Sequence, residues 1–405
     1  MVKVYPFKAF VPSQKLANRV VTLGSGKVPE AVLREKAECN EFSYIRVVKP
    51  QYLQPEIEQG SPAFYQASLS NLANLLSNHC LEVFENGIYF YKQTHHSGKI
   101  LSGWIVGIDA DDYQNGKIKK HENTLKAKEG RLVEHIRQLK SMAEPVLLSQ
   151  NLPDDILTLS HQTQETTPLF SVTDEFKNEH SLWFISDSNI IDRIQSDFNQ
   201  IDSLYIADGH HRVAASSTFI LEEFGHNSGK GFMALIMDDR DLLIKPFYRL
   251  IKHTQPLNLE AFFKVAGYNY SDASDVNSYE DLQEHQVLVF SQNEKWVIQL
   301  NSPEKHLNAV EKLDVSVVER DIFSPVFGIE NTSNDNRVSF MRGDTSIEFI
   351  KNQMEEGKFQ FAFLFKSNSM QEIKDVADQG LIMPPKSTFV EPKLLTGMVI
   401  EDYQH

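Results

Sequence analysis

One segment constrains the fold more than any other, because its pattern changes from strand-like to helix-like within five residues. The apolar run at 204–207 stops at Asp208-Gly209, an Ala- and Ser-rich stretch follows over 213–224, and a second apolar run covers 232–237. This order indicates strand, tight turn, helix and strand. Strand-like and helix-like stretches alternate elsewhere too, so the sequence predicts an α/β (mixed α+β) protein rather than an all-α or all-β one.

The same patterns predict further elements. Apolar residues at helical spacing predict a helix over 64–79, and two apolar stretches predict a hairpin of strands 87–94 and 100–109. An amphipathic helix is predicted after Thr124, with Met142 on its apolar face. Residues 150–180 are polar and turn-rich, which suggests an excursion or a connection between subdomains.

The C-terminal part repeats this mixture. We predict strands 287–291 and 296–300 around a turn at 292–294, a helix capped by Asp344, a strand over 359–366 and a helix over 370–378. The chain is therefore divided into an N-terminal α/β segment at 1–150, a segment carrying the Asp208-Gly209 turn at 151–255, and a C-terminal α/β segment at 256–405. The first two are expected to form one core.

Charge and cysteine content exclude several classes of protein. The 405 residues include 40 Lys and Arg against 55 Asp and Glu, a net charge of -15, which argues against binding to nucleic acids or anionic lipids. Cys39 and Cys80 are the only cysteines, too few for a disulfide framework or a cysteine zinc site. The sequence also has no signal-like start and no apolar run of about 18 residues. We expect a cytoplasmic protein without a membrane or nucleic-acid partner.

The turn at 208–212, Asp-Gly-His-His-Arg, is the strongest chemical signal. A helix N-terminus attracts anions, Gly209 permits close approach, and Arg212 can donate two hydrogen bonds to phosphate oxygens. We predict phosphate or nucleotide binding by Asp208, Gly209, His211 and Arg212, with His210 as a catalytic proton carrier. Alternatively, Asp208 caps the helix and the histidines bind nearby carbonyl groups.

A second candidate segment, 119–124, has the sequence Lys-Lys-His-Glu-Asn-Thr. His121 or Glu122 is predicted to act as general acid or base if the segment folds beside the 208–212 turn. The alternatives are a solvated capping loop, or a divalent-metal site in which His121 and Glu122 join His210 or His211. The spacing does not select the metal alternative, and the predicted site contains no metal ligand.

A third candidate lies near the C-terminus. Two prolines at 384 and 385 precede Lys386, Ser387 and Thr388, a rigid turn with one cation and two hydroxyl groups. Such a turn can hold a phosphate, and we predict that these three residues contribute to phosphate binding. A purely structural turn is the alternative. Whether this segment meets residues 121–124 and 208–212 is not decided by the sequence.

Taken with their order and separation, several segments resemble the bacterial and archaeal family of domain of unknown function 1015. The matching segments are 6–10 (Pro-Phe-Lys-Ala-Phe), 42–47, 116–124, 205–212, 313–317 and 383–393. Many members carry a Pro-Pro-Tyr-Asp segment after the N-terminal strand, where this chain has Val20 to Val28. The resemblance leaves open whether this difference alters activity.

The 208–212 turn in turn resembles the phosphate-binding turn of the ParB-like superfamily, which includes ParB nucleotide switches, sulfiredoxin and free-serine kinases. This resemblance implies a ParB-like phosphate-binding core with additional α/β subdomains, and the family resemblance implies a link to serine metabolism. No P-loop of the Gly-x4-Gly-Lys-Ser/Thr type is present.

We therefore expect a small-molecule phosphotransferase or phosphohydrolase acting on serine, phosphoserine or a similar metabolite. ATP or ADP and Mg²⁺ are the expected cofactors, and a phosphorylated metabolite or nucleotide is the expected partner. The alternatives are a noncatalytic nucleotide-binding regulator of ParB-like type and a metal-dependent hydrolase. The sequence does not indicate an oligomeric state.

Overall fold

A computed structural model describes residues 1–24, 28–255, 257–291, 294–301 and 307–404. The chain forms two compact units, the first comprising Met1–Leu242 with Pro392–His405 and the second Leu243–Glu391. Residues 243–391 are thus inserted between two parts of the first unit. The division predicted at residue 255 falls within the second unit.

The first unit contains most of the strands and helices. Its strands up to residue 242 are β1 (Val4–Tyr5), β2 (Phe7–Pro12), β3 (Thr22–Leu23), β4 (Leu81–Thr94), β5 (Ile100–Asp109), β6 (Ile118–Lys119), β7 (Ser141–Met142), β8 (Val146–Gln150), β9 (Phe170–Thr173), β10 (Glu179–Ile185), β11 (Leu204–Asp208) and β12 (Gly231–Asp238). Its α-helices are α1 (Ala17–Val20), α2 (Glu30–Cys39), α3 (Ile45–Val48), α4 (Pro62–Ser77), α5 (Ala110–Gln114), α6 (Lys126–Leu139), α7 (Asp154–Gln164), α8 (Ser188–Phe198) and α9 (His210–Phe224). Short 3₁₀ turns lie at Pro50–Tyr52 and Asp239–Asp241.

The second unit is built in the same mixed manner. Its strands are β13 (Leu243–Lys245), β14 (Phe247–Ile251), β15 (Asn269–Asp272), β16 (Gln286–Phe290), β17 (Lys295–Gln299), β18 (Val338–Arg342), β19 (Phe361–Phe365) and β20 (Phe389–Glu391). Its helices are α10 (Leu259–Val265), α11 (Asp314–Val318), α12 (Ile347–Glu355) and α13 (Met370–Asp378), with a 3₁₀ turn at Tyr279–Asp281 and a π-helical segment at Glu319–Phe327. The chain then returns to the first unit as β21 (Leu395–Thr396) and β22 (Ile400–Asp402).

A large mixed sheet organises the first unit. Its strands follow the order β6-β11-β8-β12-β5-β4-β2-β22-β7, and β1, β9 and β10 attach at its side. The β6–β11 and β8–β12 pairs are parallel, and the other pairs are antiparallel. Helix α9 packs against α5, α6 and β12. Small buried residues at 214–217 of α9 (Ala-Ala-Ser-Ser) allow close packing, which fixes the N-terminus of this helix at the end of β11.

The second unit contains a six-stranded antiparallel sheet in the order β15-β17-β16-β19-β14-β18. One face of it packs against α12 through a core that includes Leu250, Leu288, Leu364 and Ile350. The alternating apolar residues of β14, β16 and β19 form this core because successive side chains of a strand point to opposite faces.

The mixed α/β class predicted from the sequence is confirmed, as are the β11-α9-β12 unit, helix α4, the β4–β5 hairpin, β19 and α13. The strands of the predicted 287–300 hairpin also pair as β16 and β17, although turn residues 292 and 293 lie outside the described part of the chain.

Three local predictions are wrong. Helix α6 ends at Leu139 because Lys140 adopts a left-handed conformation with φ 49°, so Met142 lies in strand β7 instead of on the helix. The cap of α12 is Ser346, whose hydroxyl accepts the Phe349 N–H, and Asp344 lies before it. Residues 150–180, expected to be an excursion or a connection between subdomains, lie inside the first unit and contain α7, β9 and the start of β10.

A membrane-spanning helix would need a long apolar stretch. Within the described residues, no helix combines the length and the apolar character that crossing a bilayer requires.

Candidate functional site

The candidate site is built on the turn between β11 and α9. Gly209 is the residue before the helix, with φ 98° and ψ 29°, a left-handed conformation that glycine adopts without the steric cost of a side chain. Its carbonyl accepts the Val213 N–H at 3.0 Å, which is the first hydrogen bond of the helix. The helix itself therefore offers no acceptor to the N–H groups of residues 210–212, the arrangement that binds anions at helix N-termini.

Asp208 and Arg212 fix the shape of this turn. The Arg212 guanidinium lies 3.1 Å from Asp208 Oδ2 and 2.9 Å from Glu144 Oε1, and it donates to the Pro145 carbonyl at 2.7 Å. The Lys393 ammonium approaches the other Asp208 oxygen, Oδ1, at 3.0 Å. Both terminal nitrogens of Arg212 thus bind groups of the protein. In this structure Arg212 therefore holds the turn instead of offering its two terminal nitrogens to a ligand.

The two histidines of the turn contact the 121–125 loop. His210 Nε2 faces the His121 N–H at 3.4 Å, and His211 Nε2 accepts the Leu125 N–H at 3.1 Å. His210 Nδ1 lies 3.4 Å from Glu122 Oε2. The structure therefore brings the 121–124 segment against the 208–212 turn, a proximity that the sequence left open.

His121 is the most unusual residue of this group. Its side chain is buried, with 1% of the residue exposed, and neither Nδ1 nor Nε2 has a hydrogen-bond partner in the structure. Its ring centroid lies 4.5 Å from that of His210, and the two planes are nearly perpendicular. Buried polar groups usually have a partner, so an unpaired imidazole beside an open helix N-terminus points to a ligand.

Burial also determines the protonation of these rings. It lowers the pKa of His121 to about 4, against a smaller opposing effect of the Asp208 carboxylate. The pKa of His210 is lowered well below its ordinary value by burial and then by the charges of His121, His211 and Lys120. Both rings are therefore neutral near pH 7, the form that accepts a proton or binds a metal ion.

One group of side chains at this place has the atom types that could hold a metal ion. His121, Glu122 and His210 each offer a ligand atom, and the three atoms lie within 4.8 Å of one another. The two histidines are buried and Glu122 is exposed. This combination is the metal-site alternative given in the sequence analysis, and it is not part of the site predicted there.

Lys386, Ser387 and Thr388 lie in the second unit. Lys386 has φ 56°, and its carbonyl accepts from Arg249 Nη1 at 3.1 Å. The Ser387 hydroxyl donates to the Pro384 carbonyl at 2.6 Å, a contact within the same turn. These contacts describe a folded turn, and phosphate binding by the three residues stays a prediction from the sequence.

Sequence reasoning missed two groups that position the turn. Glu144 holds Arg212 and also accepts the Thr396 hydroxyl at 3.0 Å, and Lys393 holds Asp208. Lys393 lay inside one of the segments that carried the family resemblance, but no local pattern connected either residue with the turn, because both contacts depend on long-range packing.

The family of the chain follows from its sequence. A family model described as "Protein of unknown function (DUF1015)" matches residues 4–316, more than three quarters of the chain. The chain belongs to this family. The DUF1015 match includes His121, Glu122 and the 208–212 turn, and it ends before the 383–393 segment. Of the segment at 20–28 that departs from many members, residues 25–27 lie outside the described residues.

Known proteins add only distant similarity. No curated protein sequence is a significant match. Among solved structures, a free serine kinase in complex with AMP is 15% identical and has a TM-score of 0.35, covering 72% of this chain and 88% of its own. SbnI with a C-terminal truncation, from Staphylococcus aureus, is 11% identical with a TM-score of 0.36, covering 71% and 82%. A conserved hypothetical protein from Pyrococcus furiosus is 16% identical with a TM-score of 0.32, covering 71% and 90%.

Proposed function

We propose that the chain transfers or hydrolyses a phosphoryl group of a small metabolite, with the phosphate at the N-terminus of α9 and proton transfer by His121, Glu122 and His210. The observation that carries this proposal is the buried His121 ring, whose two nitrogens have no partner and which lies beside the first turn of α9. A substrate bound at this turn would supply the missing partner.

The local charges support an anionic substrate. Phosphoryl transfer depends mainly on positioning and on neutralising the charge of the phosphoryl oxygens. The first-turn N–H groups and the positive end of the helix dipole provide both, and Gly209 has no side chain to block the approach. Arg212 adds a positive charge whose position is fixed by Asp208 and Glu144. We assign the phosphate contacts to Gly209 and His211, with Arg212 contributing its charge at a distance and Asp208 as a positioning residue.

The substrates and phosphoryl donors to test are chosen from the resemblance of the sequence to the DUF1015 family and to the ParB-like superfamily. Serine with ATP or ADP, and phosphoserine alone, are the first substrates to test. Mg²⁺ is the proposed companion of the nucleotide, since it binds phosphate oxygens and carboxylates in most enzymes of this type.

The test is a ³¹P NMR assay of the untagged full chain with Mg²⁺, offering serine with ATP or ADP and, separately, phosphoserine. We expect phosphoserine or inorganic phosphate to form, and His121→Leu to lower the rate by about 100-fold or more because the acid–base group is lost. His161→Leu, at an exposed position of α7, is the matched control and should retain the rate.

Two results would contradict the proposal. If the protein turned over none of these substrates, the proposed activity would be wrong. If His121→Leu and the control had equal rates, the role assigned to His121 would be wrong. If a nucleotide raised the melting temperature without being consumed, the noncatalytic nucleotide-binding alternative would replace the enzyme proposal.

A further inference from the structure

The two unpaired ring nitrogens of His121 require different partners. A neutral imidazole has one donor and one acceptor nitrogen, and either one destabilises the folded protein when it is buried without a partner. Both nitrogens of His121 are in this condition, in a residue that is 1% exposed. An unprotonated phosphate oxygen accepts hydrogen bonds only, so it can satisfy the donor nitrogen but leaves the acceptor unpaired. A metal ion satisfies the acceptor.

The neighbours of His121 complete a set of metal ligands. His210 presents its ring at right angles to His121, and its Nδ1 lies 3.4 Å from Glu122 Oε2. A tetrahedral ion with bonds of 2.0–2.1 Å separates its ligand atoms by about 3.4 Å. The three ligand atoms lie within 4.8 Å of one another, so each separation exceeds the tetrahedral value by at most about 1.4 Å.

We propose that His121, Glu122 and His210 bind one divalent transition-metal ion of the kind represented by Zn²⁺. Two imidazoles and a carboxylate are a ligand set of catalytic zinc sites, in which the fourth position is left to water or substrate. Mg²⁺ and Ca²⁺ prefer oxygen ligands and fit this set poorly. The site is therefore distinct from any Mg²⁺ that accompanies a nucleotide.

Metal binding requires two local adjustments. If Nδ1 of His210 binds the ion, Nε2 carries the proton, and the contact with the His121 N–H is lost; at 3.4 Å this contact is already weak. Lys120 places a positive charge near His210 and opposes a cation, whereas the Glu122 carboxylate and the nearby Asp208 carboxylate favour one. The Asp208 charge is already paired with Arg212 and Lys393, so the Glu122 carboxylate is the main group that offsets Lys120.

The location suggests what the ion would do. A metal at this place stands beside the first turn of α9, so its open position can take an oxygen of the anion bound there, or a water whose pKa the ion lowers. This role rests on the proposed function, with the ion-bound water as the proton carrier in place of the three side chains that would hold the ion. The binding of the ion does not, because it follows from the three side chains alone.

The test measures metal binding without substrate. Untagged full chain is stripped with a chelator and titrated with Co²⁺, whose visible absorption reports tetrahedral nitrogen and oxygen ligands, and with Zn²⁺ by calorimetry. We expect one ion per chain, and at least tenfold weaker binding in Glu122→Gln, whose exposed site should not affect folding. His121→Leu, an apolar replacement suited to a buried position, should abolish the Co²⁺ spectrum. Glu56→Gln is the matched exposed control and should bind normally.

The possible failures are distinguishable. Absence of stoichiometric binding, binding unchanged in Glu122→Gln and His121→Leu, or displacement of Co²⁺ by millimolar Mg²⁺ would each overturn the metal site. Phosphoryl transfer in chelated protein supplied only with Mg²⁺ would overturn the catalytic role of the ion and leave the proposed function intact. Stoichiometric Zn²⁺ binding without phosphoryl transfer would support the site while the proposed function fails.

Discussion

Lys393 Nζ lies 3.0 Å from Asp208 Oδ1, although 185 residues separate the two in the sequence. The other oxygen of Asp208 is 3.1 Å from the Arg212 guanidinium. The carboxylate at the end of β11 is therefore held by two cations, one from the turn itself and one from the C-terminal segment. The orientation of the turn depends on both.

We expect Lys393→Met and Asp208→Asn to be energetically coupled. The pair is partly buried, with 19% and 36% of the two side chains exposed, so the coupling energy in a double-mutant cycle should be about 0.5–1 kcal/mol. Urea unfolding of the wild type and the three variants measures it. Lys264→Met, at an exposed position of α10, should show no coupling with Asp208→Asn. A coupling of zero would mean that the ion pair does not hold the turn.

Gly209→Ala should destabilise the protein and weaken anion binding. Both Gly209 and Gly328 adopt the left-handed conformation, with φ 98° and 63°, which costs an alanine about 1 kcal/mol. At Gly209 the added Cβ would also lie 3.1 Å from the Arg212 guanidinium, whereas at Gly328 nothing lies within 4 Å. Gly328→Ala is thus the matched control. We expect the larger loss of melting temperature, and the loss of stabilisation by inorganic phosphate, in Gly209→Ala alone.

His211→Phe should loosen the 121–125 loop. The ring accepts the Leu125 N–H at 3.1 Å, and phenylalanine keeps the shape but removes the acceptor. Amide hydrogen exchange at Leu125 should become about fivefold faster, since one hydrogen bond contributes roughly 1 kcal/mol. His161→Phe, on the exposed face of α7, should leave this exchange unchanged. Unchanged exchange in His211→Phe would show that other contacts hold the loop.

Sequence patterns predict an element correctly where residues adjacent in the chain determine its structure. The β11-α9 turn was predicted because apolar runs, Gly209 and the following Ala- and Ser-rich stretch are adjacent in the chain. The end of α6 was not, because Lys140 is not a residue type that marks a left-handed helix end, and the Met142 side chain continues the helical pattern beyond it.

The remainder of the site depends on contacts between distant segments. Residues 179–185 form β10 because they pair with residues 88–94 of β4, and nothing in their own polarity specifies that partner. In the same way, the contact of the 121–125 loop with the two turn histidines arises from the parallel pairing of β6 with β11. Local patterns carry no information about which strands become neighbours, so the candidate residues could be named but their convergence could not be predicted.

Stability should depend on pH through Glu401. This carboxyl is buried in β22, where it accepts from the Met233 N–H at 2.8 Å and the Tyr403 hydroxyl at 2.5 Å. Burial raises the pKa of Glu401 from 4.5 to about 8. Between these two values the folded state binds more protons than the unfolded state, so the free energy of unfolding should fall as the pH rises.

The contribution of Glu401 is fully present below about pH 4.5 and is lost as the pH rises through about 8. Glu401→Gln stays neutral and should flatten this part of the profile, by an amount on the order of a few kcal/mol. Chemical unfolding at a series of pH values measures the slope, with Glu56→Gln as the exposed control. A slope that is the same in wild type and Glu401→Gln would refute the assignment.

Arg249 should be essential for the stability of the second unit. Its guanidinium is buried, donates to the carbonyls of Phe247, Lys386 and Pro385 at 3.0–3.3 Å, and lies 3.6 Å from Glu319. Burial lowers the pKa of Arg249 to about 10, so the group remains charged at neutral pH.

Replacing Arg249 by methionine leaves three carbonyls without their donor and Glu319 without its counter-ion. We expect a loss of about 3–5 kcal/mol in urea unfolding, partly recovered in the double variant with Glu319→Gln. Arg342→Met, which breaks the exposed pair with Asp344, should cost less than about 1 kcal/mol. A comparable cost for the two arginines would show that Arg249 is not a buried structural cation.

Strand β22 lies between β2 and β7, and Lys393 reaches Asp208, yet both come from the segment that follows the inserted second unit. During translation, therefore, β2 has one open edge until the last residues of this segment leave the ribosome. Until then this edge offers unpaired backbone groups to other strands while about 150 residues of the second unit are synthesised. A chain released early would lack both the closing strand and the cation that holds Asp208.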